Sequence, residues 1–142
     1  MLQTIQESRY ESQSKAVTKV VEKEKLPQDR VMVIHELLKR WKDSNGFLEA
    51  DLSLSSLSGS LGIRRRELSV YFESHEQVTF RVWLSNIRLE AAKKLMIEHP
   101  EYSNDAISAA CGFSSRAQLY NIFRDKEGMT PKEFLAQQQN KS

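Results

Sequence analysis

SNDAISAACGFSSRAQLYNIF, residues 103–123, is the stretch that decides how this chain is read, because SLSSLSGSLGIRRRELSVYF, residues 53–72, repeats it. Ser53 answers to Ser103, Leu57 to Ile107, Leu61 to Cys111, Gly62 to Gly112 and Ile63 to Phe113, each pair 50 residues apart. The second copy then carries one extra residue, so that Leu68 and Phe72 answer to Leu119 and Phe123. Each match has a mechanical reason. Ser53 and Ser103 suit the start of a helix, where a hydroxyl accepts from an orphan amide. Small residues (Ser58 and Gly59, Ser108 and Ala109) let a second helix approach. Gly62 and Gly112 can take the positive φ that ends a helix and turns the chain. Ile63 and Phe113 plug that turn into a core, and the i,i+4 pairs Leu68/Phe72 and Leu119/Phe123 hold a second helix down by one face. A short helix, a glycine turn and a crossing second helix form a helix-turn-helix.

The second helix of each unit keeps one face outward. In the first copy that face offers Arg65, Arg66, Ser69 and Val70, with Arg64 and Glu67 at its edges; in the second it offers Arg116, Gln118, Tyr120 and Asn121, with Arg124 further along. These side-chain types read a major groove: Arg forks onto guanine, Gln or Asn onto adenine, and an apolar group meets a thymine methyl. Arg64, Ser115 and Arg124 are placed to meet phosphates, which sets register without reading sequence. A solvated charged face would explain RRR at 64–66 taken alone, but not the same architecture twice.

Outward from the repeats, the rest of the chain reads as helix. Val31, Ile34, Leu37, Leu38 and Trp41 recur at three- and four-residue steps, with Asp29 as the expected cap and DSNG at 43–46 as the stop. Between the two units Phe80, Leu84, Ile87, Ala91 and Leu95 share a face over residues 79–99, with Thr79 as cap and Pro100 as limit. At ~1.5 Å per residue those 21 residues span ~31 Å, close to the ~34 Å repeat of the major groove on one side of a duplex. Gly128 with Thr130-Pro131 reads as a stop, a new cap and proline at a first helical position. No alternating apolar run is long enough for a strand. The fold class is therefore all-α, with two helix-turn-helix units, at about 53–74 and 103–127, joined by a connecting helix at about 79–99. Residues 1–28 read as a polar linker or helical extension, with Val17, Val20 and Val21 on one side, residues 29–139 as the domain, and 140–142 as a tail.

Composition sets the outer bounds. The chain has 142 residues, 39% hydrophobic and 28% charged, values of an ordinary globular protein. The net charge of +2 is too small to imply a nucleic-acid partner by itself, so the case rests on where the charges sit. No apolar run would cross a bilayer and no signal-peptide core stands at the N-terminus. The single cysteine, Cys111, falls on a core stripe and is read as a small buried hydrophobe, compatible with a reducing cytoplasm. His35, His75 and His99 have no second ligand at metal-binding spacing, Trp41 and Trp83 fall on apolar stripes, and no catalytic constellation or phosphate loop is visible. We expect no enzyme, no cofactor and no metal.

From about Val31 to Leu135 the residues resemble the DNA-binding domain of AraC/XylS-type bacterial transcription regulators. The second motif carries most of the resemblance, from Ile107 through Gly112-Phe113-Ser114 to Phe123, Gly128 and Thr130-Pro131, with Phe80, Leu84, Arg88-Leu89, Ala92 and Leu95 in the family's spacing. The resemblance implies a seven-helix domain that puts two recognition helices into successive major-groove segments of double-stranded DNA. By family position Arg66, Ser69 and Val70, and Arg116, Ala117, Gln118, Tyr120 and Asn121, face the bases. Departures stand at Gln77, where the family usually has glycine, at Leu135, where it often has arginine, and at Ser58, which replaces a usual alanine. Further partners that the resemblance allows are RNA polymerase, an upstream sensor domain in a longer, often membrane-associated, regulator, and a second copy of the chain. The rival reading is a helical protein-interaction module with degenerate DNA contact, for which the near-neutral charge, Gln77 and Leu135 speak.

Overall fold

Among residues 25–141, five of the seven helices start at a hydroxyl side chain that caps their first turn. The computed structural model describes residues 25–141. The expected extension bearing Val17, Val20 and Val21 lies outside the described residues. In chain order the helices are α1 (Gln28–Asp43), α2 (Leu54–Leu61), α3 (Arg65–Tyr71), α4 (Phe80–Glu98), α5 (Asn104–Ala110), α6 (Arg116–Glu127) and α7 (Pro131–Lys141). A 3-10 turn, Gly46–Leu48, follows α1, and a π turn, Phe72–Glu76, continues α3. Among the described residues there is no strand.

The caps follow from sequence. Ser53, Thr79 and Ser103 accept hydrogen bonds from the amides of Ser56, Val82 and Ala106, each satisfying one orphan donor of a first turn. Thr130 and Glu133 exchange side-chain and backbone bonds ahead of Pro131, a capping box with proline at the first helical position. Asp29 does not cap α1: the helix begins one residue earlier, after Pro27, and Asp29 sits in the first turn, where its charge still suits the positive helix end. At the other end of the chain α7 runs through Lys141, so Asn140 and Lys141 belong to the helix rather than to a tail.

Two cores result. The first joins Val31, Ile34 and Leu38 of α1 with Phe47, Leu57, Ile63, Leu68, Tyr71, Phe72, Phe80 and Leu84. The second joins Leu89, Ala92 and Met96 of α4 with Ile107, Cys111, Phe113, Leu119, Phe123 and Phe134. α4 therefore gives its first half to one core and its second half to the other. That division is why Leu89, Ala92 and Met96 are buried while Ile87, Ala91 and Leu95, expected on a single stripe, are only partly so. At 19 residues α4 is ~28 Å long. Trp41 and Trp83 pack on the first core and stack on each other at 5.8 Å between centroids. Gly46 is required there, since a Cβ would fall 2.3 Å from the Trp41 indole nitrogen.

Candidate nucleic-acid interface

In both units the first helix ends in a left-handed glycine, with Gly62 at φ 68° and Gly112 at φ 88°. The residues that follow them, Ile63 and Phe113, are buried as plugs. The two glycines nevertheless do different work. A Cβ on Gly62 would meet nothing within 4 Å, so only its φ is at stake. A Cβ on Gly112 would lie 2.7 Å from the Phe47 carbonyl oxygen and 2.9 Å from Arg88 Nε, so this position needs both the φ and the room. Gly59 does not serve close approach as expected: it is exposed with open space around its Cα. Ser58 is half-buried and donates to the Ile63 carbonyl, bracing the turn.

With Leu68 and Leu119 fully buried, the 100° step per residue puts α3 and α6 in register: Arg65 with Arg116, Arg66 with Ala117, Glu67 with Gln118, Ser69 with Tyr120 and Val70 with Asn121. Arg65, Arg66, Ser69, Arg116, Ala117, Tyr120 and Asn121 are exposed, as are Arg64, Ser115 and Arg124. The equivalent arginines are braced at equivalent places. Arg65 Nη1 donates to Ser55 Oγ of α2 at 3.0 Å, and Arg116 Nε lies 3.8 Å from Asp105 Oδ1 of α5, 50 residues further on. Both ends of the Arg116–Asp105 pair are about two-thirds exposed or more, so water and salt weaken it and the guanidinium stays available.

Two expected readers are placed otherwise. Val70 is buried, with 8% of its surface exposed, and a side chain covered to that degree cannot lay a methyl on a base. Its flank of α3 adjoins Glu67, which Arg30 of α1 grips with two hydrogen bonds of 2.8 and 3.0 Å. That pair ties α3 to α1, and Arg65, Arg66 and Ser69 are exposed. Gln118 is half-buried, and its Oε1 accepts from the Ser114 amide at 2.7 Å while its own amide donates to Ser115 Oγ at 3.1 Å. Gln118 and Ser115 thus close the start of α6. A bidentate grip on adenine by Gln118 would require that oxygen to leave the amide.

The turn after α3 resolves the question raised by Gln77. It takes the left-handed conformation that a glycine would take, at φ 59° and ψ 23°. The π turn before it is held from inside by Tyr71, which is 2% exposed: its hydroxyl donates to Glu76 Oε2 at 3.1 Å and lies 3.1 Å from His35 Nδ1. Burial, reinforced by the neighbouring Glu76 carboxylate, pushes the Tyr71 phenol well above its ordinary pKa. His75 stacks on the Tyr71 ring at 5.5 Å, and His99 stacks on Tyr102 at 4.4 Å. Among the described residues no three His, Cys, Asp or Glu side chains gather to hold a metal. Cys111 is buried, and burial pushes its thiol up to about 11, far from a reactive thiolate.

Arg88 is the residue whose part the sequence reading did not specify. It follows Leu84 by four positions and precedes Ala92 by four, and so interrupts an otherwise apolar row of α4 with a cation. A charge on that row has to be given partners, and this was the available signal. The structure supplies them in the 3-10 turn: Nε donates to the Phe47 carbonyl at 2.8 Å and Nη2 to the Glu49 carbonyl at 2.9 Å.

Comparison with known proteins agrees with this architecture. The model of a family described as "Helix-turn-helix domain" matches residues 57–137. The virulence regulon transcriptional activator VirF of Shigella flexneri is 32% identical over 107 residues, 75% of this chain and 36% of VirF. The transcriptional activator NphR of a Rhodococcus species is 30% identical over 83 residues, 58% of this chain and 24% of NphR. The chain thus spans little more than a third of the length of VirF and about a quarter of that of NphR. Among solved structures, an AraC-type transcriptional regulator from Chromobacterium violaceum superposes with a TM-score of 0.65 at 23% identity, covering 78% of this chain and 96% of that one. The DNA-binding domain of AdpA, solved with a target DNA, superposes with a TM-score of 0.63 at 24% identity, covering 74% and 94%.

Proposed function

This chain belongs to the AraC-type helix-turn-helix family, and from that premise we propose that it is a DNA-binding transcription regulator whose α3 and α6 enter successive major-groove segments. The observation that carries the reading is the outward face of α6. Arg116, Ala117, Tyr120 and Asn121 stand exposed on the side opposite the buried Leu119 and Phe123. With Arg65, Arg66 and Ser69 on α3, that face supplies the base contacts of the proposal; Arg64, Ser115 and Arg124 supply phosphate contacts. Val70 is left out because it is buried, and Gln118 acts first as a cap. The ~28 Å of α4 supports two blocks about one turn of DNA apart.

The finer parts of the reading are proposals of the same kind: that a sensory part stands in the same chain, that two chains pair, that RNA polymerase is the downstream partner, and that the protein works in the cytoplasm. Among the described residues no helix is long and apolar enough to cross a membrane. The role requires no catalytic step.

The test is selection of bound duplexes from a random pool, followed by affinity for the winner at two salt concentrations. We expect two information-rich blocks about ten base pairs apart and an affinity that falls steeply with salt, as phosphate neutralisation releases counterions. Arg116→Ala should lose about 1–3 kcal/mol of discrimination between the selected and a scrambled site, while Arg64→Ala weakens both alike. No enrichment, together with weak salt dependence, would instead favour the protein-interaction reading.

A further inference from the structure

Among the described residues, Arg30–Glu67 and His35–Tyr71 tie α1 to α3 beside the first core, and Lys93–Glu127, at 3.1 Å, ties the second half of α4 to α6 beside the second. Arg88 is different. It leaves α4 where the helix passes from one core to the other, and its guanidinium reaches the Phe47 and Glu49 carbonyls of the first unit's 3-10 turn. Its half-burial disfavours the charged form, and the two carbonyls are aimed to compensate it. Against the same carbonyl sits Gly112, the pivot of the second helix-turn-helix. A Cβ there would strike the Phe47 oxygen, Arg88 Nε and, at 3.2 Å, Leu48 Cα. The turn of the second unit therefore rests against the 3-10 turn beside the first core, with Arg88 Nε at the same carbonyl. Rotation of one unit against the other would break both hydrogen bonds or drive the Gly112 backbone into the Phe47 carbonyl.

We propose that Arg88, seated against Gly112, is the positioning residue that fixes the angle between the two helix-turn-helix units, and with it the spacing between DNA blocks that the chain accepts. The inference rests on the two-block reading above. Each added base pair moves the second block by ~3.4 Å and rotates it by roughly a tenth of a turn. A clamped pair of recognition helices cannot follow that displacement, whereas a loosened pair can, at the expense of the preorganisation that favours the correct spacing.

The experiment measures affinity for duplexes carrying the two selected blocks at the selected spacing and at one base pair more or fewer. The wild type should lose about tenfold per displaced base pair, the size of an ordinary coupling between two sites. Arg88→Met, which keeps the stem and removes the donors, should bind single-block duplexes like the wild type and distinguish the spacings by less than about threefold. Arg88→Lys should recover part of the discrimination, because it can still reach one carbonyl. Arg88→Met with wild-type spacing discrimination overturns the proposal; if that variant does not fold, Arg88→Gln is read in its place. A wild type that shows no two-block binding defeats the functional reading instead. The clamp is then decided without DNA, by spin labels on cysteines at the exposed positions Ser60 and Lys126, with the buried Cys111 left unlabelled. A narrow distance distribution that broadens in the Arg88 variant upholds the clamp, and equal widths reject it.

Discussion

α3 and α6 hold equivalent places in the two units, yet α3 runs 7 residues and α6 runs 12. The extra residue after Gly112 accounts for part of this. It puts Ser115 where the first unit has Arg64, so α6 begins with a hydroxyl cap supported by Gln118, while α3 begins with no side-chain cap. A cap of this kind contributes about 1 kcal/mol. The far ends differ too: α6 stops cleanly at the left-handed Gly128, and α3 runs into a π turn that ends at the left-handed Gln77. What the first unit lacks in its own helix it takes from outside, through the Arg30–Glu67 pair and the His35–Tyr71–Glu76 chain. Both helices are pinned by buried residues, Leu68 and Tyr71 in α3 and Leu119 and Phe123 in α6; α6 adds caps from its own sequence, and α3 adds side-chain ties to α1.

Four experiments sharpen or break that contrast. Phe123→Ala and Phe72→Ala should have the largest effects, about 3–5 kcal/mol each, because both rings are buried. Hydrogen exchange should show each change loosening its own core first, and equal loosening of both would mean that the two cores act as one. Next come the glycines. Gly62→Ala should cost about 1–2 kcal/mol, the strain of a side chain at positive φ with open space around it. Gly112→Ala adds the clash with the Phe47 carbonyl, roughly 1–3 kcal/mol more, and the gap is read from paired denaturant melts.

Gln77→Gly works in the opposite direction. It relieves about 1–2 kcal/mol of left-handed strain and loses part of that to the flexibility of the unfolded chain. A net gain of a few tenths to about 1 kcal/mol should appear as a higher Tm; a loss would mean that the Gln77 side chain holds the turn. The smallest effect belongs to the Arg30–Glu67 pair. The Arg30 hydrogen bond holds the Glu67 carboxyl below the usual carboxylate range. The unfolded chain therefore takes up the proton at a higher pH than the folded one, and the pair's contribution is complete above the ordinary carboxylate pKa of ~4.3. It fades as pH falls through the depressed folded value. Urea melts of wild type and Glu67→Gln should differ slightly at pH 7 and converge once the pH has fallen below the depressed folded value.

Much of this was legible in the sequence because it depends on neighbours along the chain. Ser53, Thr79, Ser103 and Thr130 act on amides three residues away, Gly62, Gly112 and Gly128 act on their own φ, and the buried positions repeat with the helical period. Those local rules give seven helices in two matched units, and the spacing of Leu119, Phe123, Arg116 and Asn121 says which face of α6 looks outward. Asp29 escaped them because Pro27 with its preset φ could start α1 two residues sooner than a cap at Asp29 would.

The remainder was decided by parts of the chain that the periodicity does not connect. Val70 lies on the outer half of α3 by angle alone and is buried in the folded chain. Gly112 shows its φ in the sequence, but its need for room exists only once Phe47 and Arg88 arrive beside it. Arg88 itself was visible as a cation on an apolar row, and only the folded chain names its two carbonyls. Local sequence determines which helices form and which face each one keeps dry; the contacts of Arg88 with the Phe47 and Glu49 carbonyls, across 39 to 41 residues, exist only in the folded chain, because an angle between helices is a property of what packs between them.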